Sequence, residues 1–187
     1  MNLSFEDPRT KKFATNVGLV TSNGPHGHNI MACEWTHHVS YSPSLISVCI
    51  NPKHATHDNI MASKEFGMSL CSDNQNILSS IAGGSSGRSI NKIEGLRELG
   101  YAFERASKIN TMMPAGACMS AECTLLKTVA LGDHTMFVGE VVEIQSNDNL
   151  PLLYFNGGYW KIGEIVNKPG QEERDKMKSI IQKHAKH

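Results

Sequence analysis

Apolar and polar residues alternate with a period of two over much of the chain. Phe66, Met68 and Leu70 alternate with Gly67, Ser69 and Cys71, and Met119, Ala121, Cys123 and Leu125 alternate with Cys118, Ser120, Glu122 and Thr124. Successive side chains of a strand point to opposite faces, so this spacing predicts strands with one face on a core. The run at 45–50 is nearly continuously apolar, as in a strand covered on both faces. Further strands are predicted at 13–21, 29–36, 101–106, 135–145 and 158–162. Short strands divided by Gly, Pro and Asn turns predict a mainly β chain, a barrel or a sandwich.

Three stretches switch to helical spacing. One is short, at 56–63; a second follows Ser72-Asp73-Asn74-Gln75, whose spacing is that of a capping box ahead of Ile77, Leu78 and Ile81. The third, at 171–184, sets Met177, Ile180 and Ile181 on one stripe of an otherwise charged helix, supported by Glu172 four residues before Lys176. That stripe needs a surface to cover, either its own barrel or a second subunit. With no internal repeat or low-complexity linker, 187 residues at 40% hydrophobic content fit one domain spanning 1–187.

Charge narrows the partners. Lys plus Arg and Asp plus Glu balance at 18 each, which leaves no bulk charge to hold nucleic acid or an anionic membrane. No apolar run approaches the roughly 18 residues of a spanning helix, and residues 1–7 lack the basic region and apolar core of a signal peptide. A cytoplasmic protein without a membrane partner is expected. Cys33, Cys49, Cys71, Cys118 and Cys123 are irregularly spaced, without a Cys-x-x-Cys pair, and are expected as free thiols. Strand parity sends Cys118 and Cys123 to opposite faces. The groupings His26-x-His28, His37-His38 and His54-x-x-His57 lack both the helical His-Glu-x-x-His pattern and paired thiolates, so no metal site is expected. His184 and His187 fall in an expected frayed tail. Hydrolase chemistry finds no Gly-x-Ser-x-Gly elbow.

Three segments have chemistry to offer. Gly132-Asp133-His134-Thr135 is a tight polar turn directly before an apolar run; glycine permits an unusual backbone, Asp bonds backbone nearby, and His exchanges protons near neutrality. The same residues also suit a purely structural turn. Asn51-Pro52-Lys53-His54-Ala55-Thr56 follows a buried strand and opens a helix, so Thr56 as a cap would leave N–H groups and Lys53 facing a phosphate. An ordinary turn with a solvated lysine has the same composition. Gly83-Gly84-Ser85-Ser86-Gly87-Arg88-Ser89 offers amides, hydroxyls and a guanidinium to an anion, yet matches neither the Rossmann nor the Walker pattern and equally describes a flexible connection.

Four segments in order resemble one family. They are Asn29-Ile30-Met31-Ala32-Cys33-Glu34-Trp35-Thr36 with Val39, Ser40 and Pro43; the stretch 48–60; Gly132-Asp133-His134-Thr135 running into Phe137-Val138-Gly139-Glu140-Val141; and Pro151-Leu152-Leu153-Tyr154 through Gly157-Gly158-Tyr159. Together, over about 10–162, they resemble the flavin reductase-like FMN-binding proteins. The resemblance implies a Greek-key split β-barrel with a few short helices and a C-terminal helix, paired as a homodimer, with FMN held non-covalently near the subunit interface. It implies that Cys33, Glu34, Trp35 and Thr36 run along the isoalloxazine ring, and that Asn51, Lys53, His54, Ala55 and Thr56 form the phosphate segment. Ser85, Ser86, Gly87, Arg88 and Lys92 would complete the cofactor site. Asp133 and His134 would lie on the nicotinamide side as the catalytic candidates, with His134 orienting the reductant.

The implied activity is FMN-dependent oxidoreduction, with NADH or NADPH as transient reductant and a quinone, ferric complex, protein or oxygen as second acceptor. Two positions depart from the family pattern: Lys53-His54-Ala55 stands where many relatives have Arg-x-Ser, and Ser69 where many have Asn. Two other classes are compatible with the residues. One is a non-enzymatic FMN-binding electron carrier or flavin store; the other is a β-barrel module without flavin whose histidines and thiols serve a metal or a partner.

Overall fold

The computed structural model describes residues 1–4 and 6–185, so His187 lies outside it. After a 3-10 turn at Thr10–Lys12 the chain forms β1 (Thr15–Asn16), β2 (Gly18–Ser22), β3 (Asn29–Cys33), β4 (Thr36–Tyr41) and β5 (Ser44–Ile50). Helix α1 (Ala55–Ser63), β6 (Glu65–Leu70), α2 (Asn76–Gly84) and α3 (Lys92–Glu98) follow. Next come β7 (Phe103–Arg105), β8 (Met112–Pro114), β9 (Met119–Leu131), β10 (His134–Ser146), β11 (Leu153–Phe155), β12 (Gly158–Trp160) and α4 (Gln171–Gln182).

Seven strands make one antiparallel sheet in the order β3-β2-β6-β9-β10-β5-β4. Its two edges, β3 and β4, are separated in the chain by Glu34 and Trp35 alone. The three backbone steps from Cys33 to Thr36 span at most about 11 Å, so the edges must meet and the sheet curls into a barrel. Local bonds hold the seam: Cys49 N–H donates to Trp35 O at 3.0 Å, and Asn16 Nδ2 donates to Thr36 Oγ1 at 2.6 Å. At Gly18 a side chain would lie 2.6 Å from Thr36 and 2.8 Å from Cys33 O, so only glycine lets β2 pass this close. The fold is therefore mainly β and a barrel, one of the two architectures the alternation predicted, and it is the split barrel that the resemblance implied.

The barrel interior holds Val20, Ile46, Val48, Ile50, Phe66, Met68, Ala121, Cys123 and Phe137. A second apolar layer, including Leu19, Ile30, Cys71, Leu78, Ile93 and Leu96, lies between the outer wall and α2 and α3. Strand β2 serves both, with Val20 in one layer and Leu19 in the other. Cys118 and Cys123 do part company: Cys123 enters the barrel core, while Cys118 bonds Leu70 O. All five cysteines are free.

Local differences have local causes. The predicted cap at Ser72 is a turn, because Ser72 Oγ bonds Asn74 Oδ1 and Gln75 Oε1 accepts from Ser72 N, and α2 starts one turn later at Asn76. The predicted strand 29–36 bends at Glu34 and Trp35 where the barrel closes, and 101–106 shortens to β7. Helix α3 was not predicted, although Asn91 caps it by accepting from Glu94 N and Ile93 and Leu96 have helical spacing. Helix α4 buries none of its residues, leaving Met177, Ile180 and Ile181 uncovered. Among the described residues no helix is long and apolar enough to cross a membrane.

Candidate functional site

The barrel seam, the start of α1, the end of α2 and the start of α3 meet at one place. There a cavity of about 190 Å³ is lined by Asn29, Met31 and Ala32 of β3, His54, Ala55 and Thr56 at the start of α1, Ala82, Gly83, Ser85 and Gly87 around the end of α2, and Lys92 of α3. Six sequence-predicted residues thus come together: His54, Ala55, Thr56, Ser85, Gly87 and Lys92. Helix α1 begins at His54 with no side-chain cap, which leaves first-turn N–H groups for an anion. Thr56 is two positions past the N-cap, too far along to cap it. Instead it is fully buried, its Oγ1 accepting from Asn29 Nδ2 at 2.8 Å.

Two buried groups mark the cavity as polar by design. Lys92 is 3% exposed, its Nζ donating to Ala82 O at 2.8 Å, and burial pushes its ammonium down to about 8. Asn29 Oδ1 is buried without a hydrogen-bond partner among the described residues. A buried orphan acceptor costs about 1–3 kcal/mol, so a bound hydroxyl or amide donor would relieve it. His54 is held below the ordinary histidine range by burial, then by the charges of Lys92, His134 and Arg88. The field is positive, and a phosphate meets a cation, a hydroxyl and backbone donors. These residues fit the phosphate and ribityl end of a flavin nucleotide; the cavity is too small for the ring, which would lie along the adjoining seam.

At that seam Cys33 turns inward, its Sγ bonding Cys49 O at 3.5 Å, and burial pushes its thiol up to about 12. Thr36 is likewise used by Asn16. Cys33 and Thr36 therefore offer backbone rather than side chains, whereas Glu34 is half-buried, with its carboxyl pushed up by burial. Trp35 is half exposed, and its ring packs on His134 with centroids 4.6 Å apart. His134 opens β10 just past the hairpin turn, where Gly132 takes a φ of 59°, and its Nδ1 lies 2.8 Å from Asp133 Oδ1. The His134 bond, then the His134 and Lys53 charges, hold Asp133 below the usual carboxylate range.

Other candidates are placed beside the cavity. Asn51 Oδ1 accepts from Lys53 N at 3.0 Å and shapes the turn, leaving Lys53 exposed at the rim. Ser86 Oγ accepts from Arg88 N, and Arg88 reaches over to α1, donating from Nε to Lys53 O at 2.9 Å and pairing through Nη2 with Asp58 Oδ2 at 2.8 Å. Arg88 thus fastens the 85–89 loop over the cavity. Asn29 is the residue that site assignment from sequence missed; its place at the head of the quoted strand was the available signal. Among the described residues no group of three or more His, Cys, Asp or Glu is arranged for a metal ion.

Known proteins resemble this chain in sequence and in fold. An uncharacterized protein of Pyrococcus abyssi is 32% identical over 124 residues, covering 66% of this chain and 69% of that one. The FMN reductase (NADH) RutF of Pseudomonas syringae is 25% identical over 158 residues, covering 84% of each. Among solved structures, the flavin reductase PheA2 in its native state superposes with a TM-score of 0.72 at 27% identity, covering 84% of this chain and 95% of that one. Residues 10–163, most of the chain, match the family model of the flavin reductase like domain, and the chain belongs to that family.

Proposed function

We propose that this member of the flavin reductase family binds FMN non-covalently and uses NADH or NADPH to reduce it. The observation that carries the proposal is the positive cavity between β3, the uncapped start of α1 and the 85–89 loop, with Lys92 buried in its wall. When bound, the flavin supplies the chemistry, accepting hydride from the nicotinamide and passing electrons to a second acceptor. The chain's own part is to bind and orient. Lys92, Thr56 and the first-turn amides hold the phosphate, Asn29 accepts from the ribityl chain, and the backbone of 33–36 follows the ring. Trp35 and His134 stand at the open side, where a nicotinamide would enter.

The test begins with flavin-stripped protein titrated with FMN and riboflavin, followed by anaerobic addition of NADH or NADPH. Saturable binding that favours FMN, then rapid bleaching, supports the proposal. Tight FMN without bleaching would make the chain an electron carrier, and no binding of either flavin would leave a flavin-free module. Lys53→Ala is expected to weaken FMN about threefold and riboflavin hardly at all, because an exposed cation contributes a modest, screened attraction to phosphate. Equal losses for the two ligands would remove Lys53 from the phosphate site. His134→Ala is expected to slow nicotinamide reduction about tenfold at unchanged FMN affinity. An unaltered stopped-flow rate would make the Trp35–His134 contact structural.

The same proposal includes a homodimer. Trp35, Val39, Tyr41, Leu126, Leu131, Val142 and Ile144 are exposed on the seam and the β9–β10 hairpin, and a second copy would cover apolar surface there. Five free cysteines favour a reducing, cytoplasmic setting, and 1–187 would act as one domain.

A further inference from the structure

One lip of the phosphate cavity is the loop 85–90, which gives Ser85 and Gly87 to the lining and joins the end of α2 to the Asn91 cap of α3. The loop's backbone bonds are local: Ser86 O accepts from Ser89 N at 3.2 Å and from Ile90 N at 3.0 Å. Gly84, where the loop leaves α2, has open space around it, so the backbone there can turn. Among the described residues, every hydrogen bond and ion pair that ties this loop to another part of the chain belongs to the Arg88 side chain. The opposite lip is the start of α1, and it is fixed. Thr56 bonds Asn29, and the buried Asn59 donates from Nδ2 to Ser22 Oγ at 3.2 Å and to Gly27 O at 2.9 Å.

Arg88 crosses from the loop to that fixed lip. Its Nε donates to Lys53 O at 2.9 Å, its Nη2 pairs with Asp58 Oδ2 at 2.8 Å, and its Nη1 lies 3.2 Å from His26 Nε2, which is 2.9 Å from the same Asp58 oxygen. All three nitrogens are engaged, and Arg88 does not line the phosphate cavity, so the guanidinium holds the loop rather than a ligand. Both side chains of the ion pair are partly exposed, so water and salt compete with it and it opens at small cost. We propose that Arg88 and Asp58 form a gate on the cavity, and that the opening of this pair sets how fast flavin enters and leaves. The proposal rests on the flavin reading above and adds the control of exchange at that site. A held loop keeps flavin in place through repeated turnovers, whereas a released loop lets it exchange as a substrate. The pair is made across the lips whether or not the cavity is filled, so weakening it speeds entry and exit alike and leaves the affinity nearly constant.

Stopped-flow fluorescence of full-length, flavin-free protein mixed with FMN tests this in wild type, Arg88→Gln, Asp58→Asn, the double variant and Arg88→Lys. In each of the first two variants the association and dissociation rates are both expected to rise about five- to tenfold, with Kd changed less than about twofold. The double variant should exchange no faster than either single one, because the two residues make one contact. Arg88→Lys should recover part of the slow exchange, since an ammonium can still pair with Asp58 but cannot also bond Lys53 O as the guanidinium does. A Kd that rises through dissociation alone, at an unchanged association rate, would make Arg88 a phosphate ligand and overturn the gate; so would rates that do not change. Wild type that binds neither FMN nor riboflavin would overturn the flavin reading, and the gate with it.

Discussion

Lys92→Met is expected to weaken FMN roughly ten- to a hundredfold while riboflavin binding barely changes, since a charge-assisted hydrogen bond to phosphate is worth about 1.5–3 kcal/mol. Lys92 is buried in the cavity wall, so its charge meets a ligand with little water between them. The same burial gives the site a pH dependence. Burial pushes Lys92 down from 10.5 to about 8, so its cation is present below that pH and lost above it. FMN affinity should therefore fall as pH rises through about 8 in wild type and stay flatter in Lys92→Met. Fluorescence titrations from pH 6.5 to 9 measure both; parallel curves would remove Lys92 from the phosphate site.

Linkage makes a second readout in the absence of ligand. Between about 8 and 10.5 the unfolded chain holds a proton on Lys92 that the folded one has released, so this residue's cost to folding is greatest below 8 and fades as pH rises. Apo Lys92→Met should melt at or above wild type at pH 7, with the gap closing toward pH 10.5. Cys33, Cys71 and Cys123 act in the opposite sense. Burial pushes each thiol up from 9.0 to about 12, so the stability they lend is present below 9 and lost as pH rises toward 12. They are common to both proteins, so the difference between the two melting curves isolates Lys92. A loss of stability at pH 7 in the variant would show that its bond to Ala82 O outweighs the buried charge.

The sequence pattern reveals what is local and hides what is assembled from a distance. Alternation at 66–71 and 118–125 marks β6 and β9 because a strand's facing is written in adjacent residues, and Gly132-Asp133 marks the hairpin because the turn needs a positive φ. Barrel closure is not written locally. It follows from a strand order in which β3 and β4 are opposite edges joined by two residues. Arg88 shows the same limit. As a lone cation in a Gly-Ser loop it looked like a ligand contact, yet Asp58, thirty positions away, captures it. Lys92 was a candidate for the cofactor site only through the resemblance. Its burial depends on α3, whose Asn91 and Glu94 signal was present but unused, and on the packing of Ile93 and Leu96 against α2 and β3. The phosphate segment at 51–56 was legible as a turn before a helix, but Thr56 was assigned to capping when its hydroxyl is committed to Asn29.

Phe66→Ala is expected to cost about 3–5 kcal/mol and Gly139→Ala about 1–3 kcal/mol. Both residues belong to one tight contact inside the barrel. A side chain at Gly139 would lie 2.6 Å from two Phe66 ring carbons and 2.8 Å from Cys123 Cβ, and Phe66 is fully buried, so the ring cannot retreat to solvent. Gly139 also sits at a register shift between β9 and β10, where the missing Cβ lets the strand kink over the ring. Phe66→Leu should make room, so Gly139→Ala is expected to cost less in that background than in wild type, a coupling measurable by urea unfolding of all four proteins. Strict additivity would mean that the barrel yields elsewhere. The contact reaches the site through Phe137, which shares this core and packs edge-on against His57 of α1 at 5.1 Å. Loosening the interior therefore loosens the helix whose first turn lines the cavity, and FMN affinity should fall in Phe66→Ala even in the fraction that stays folded.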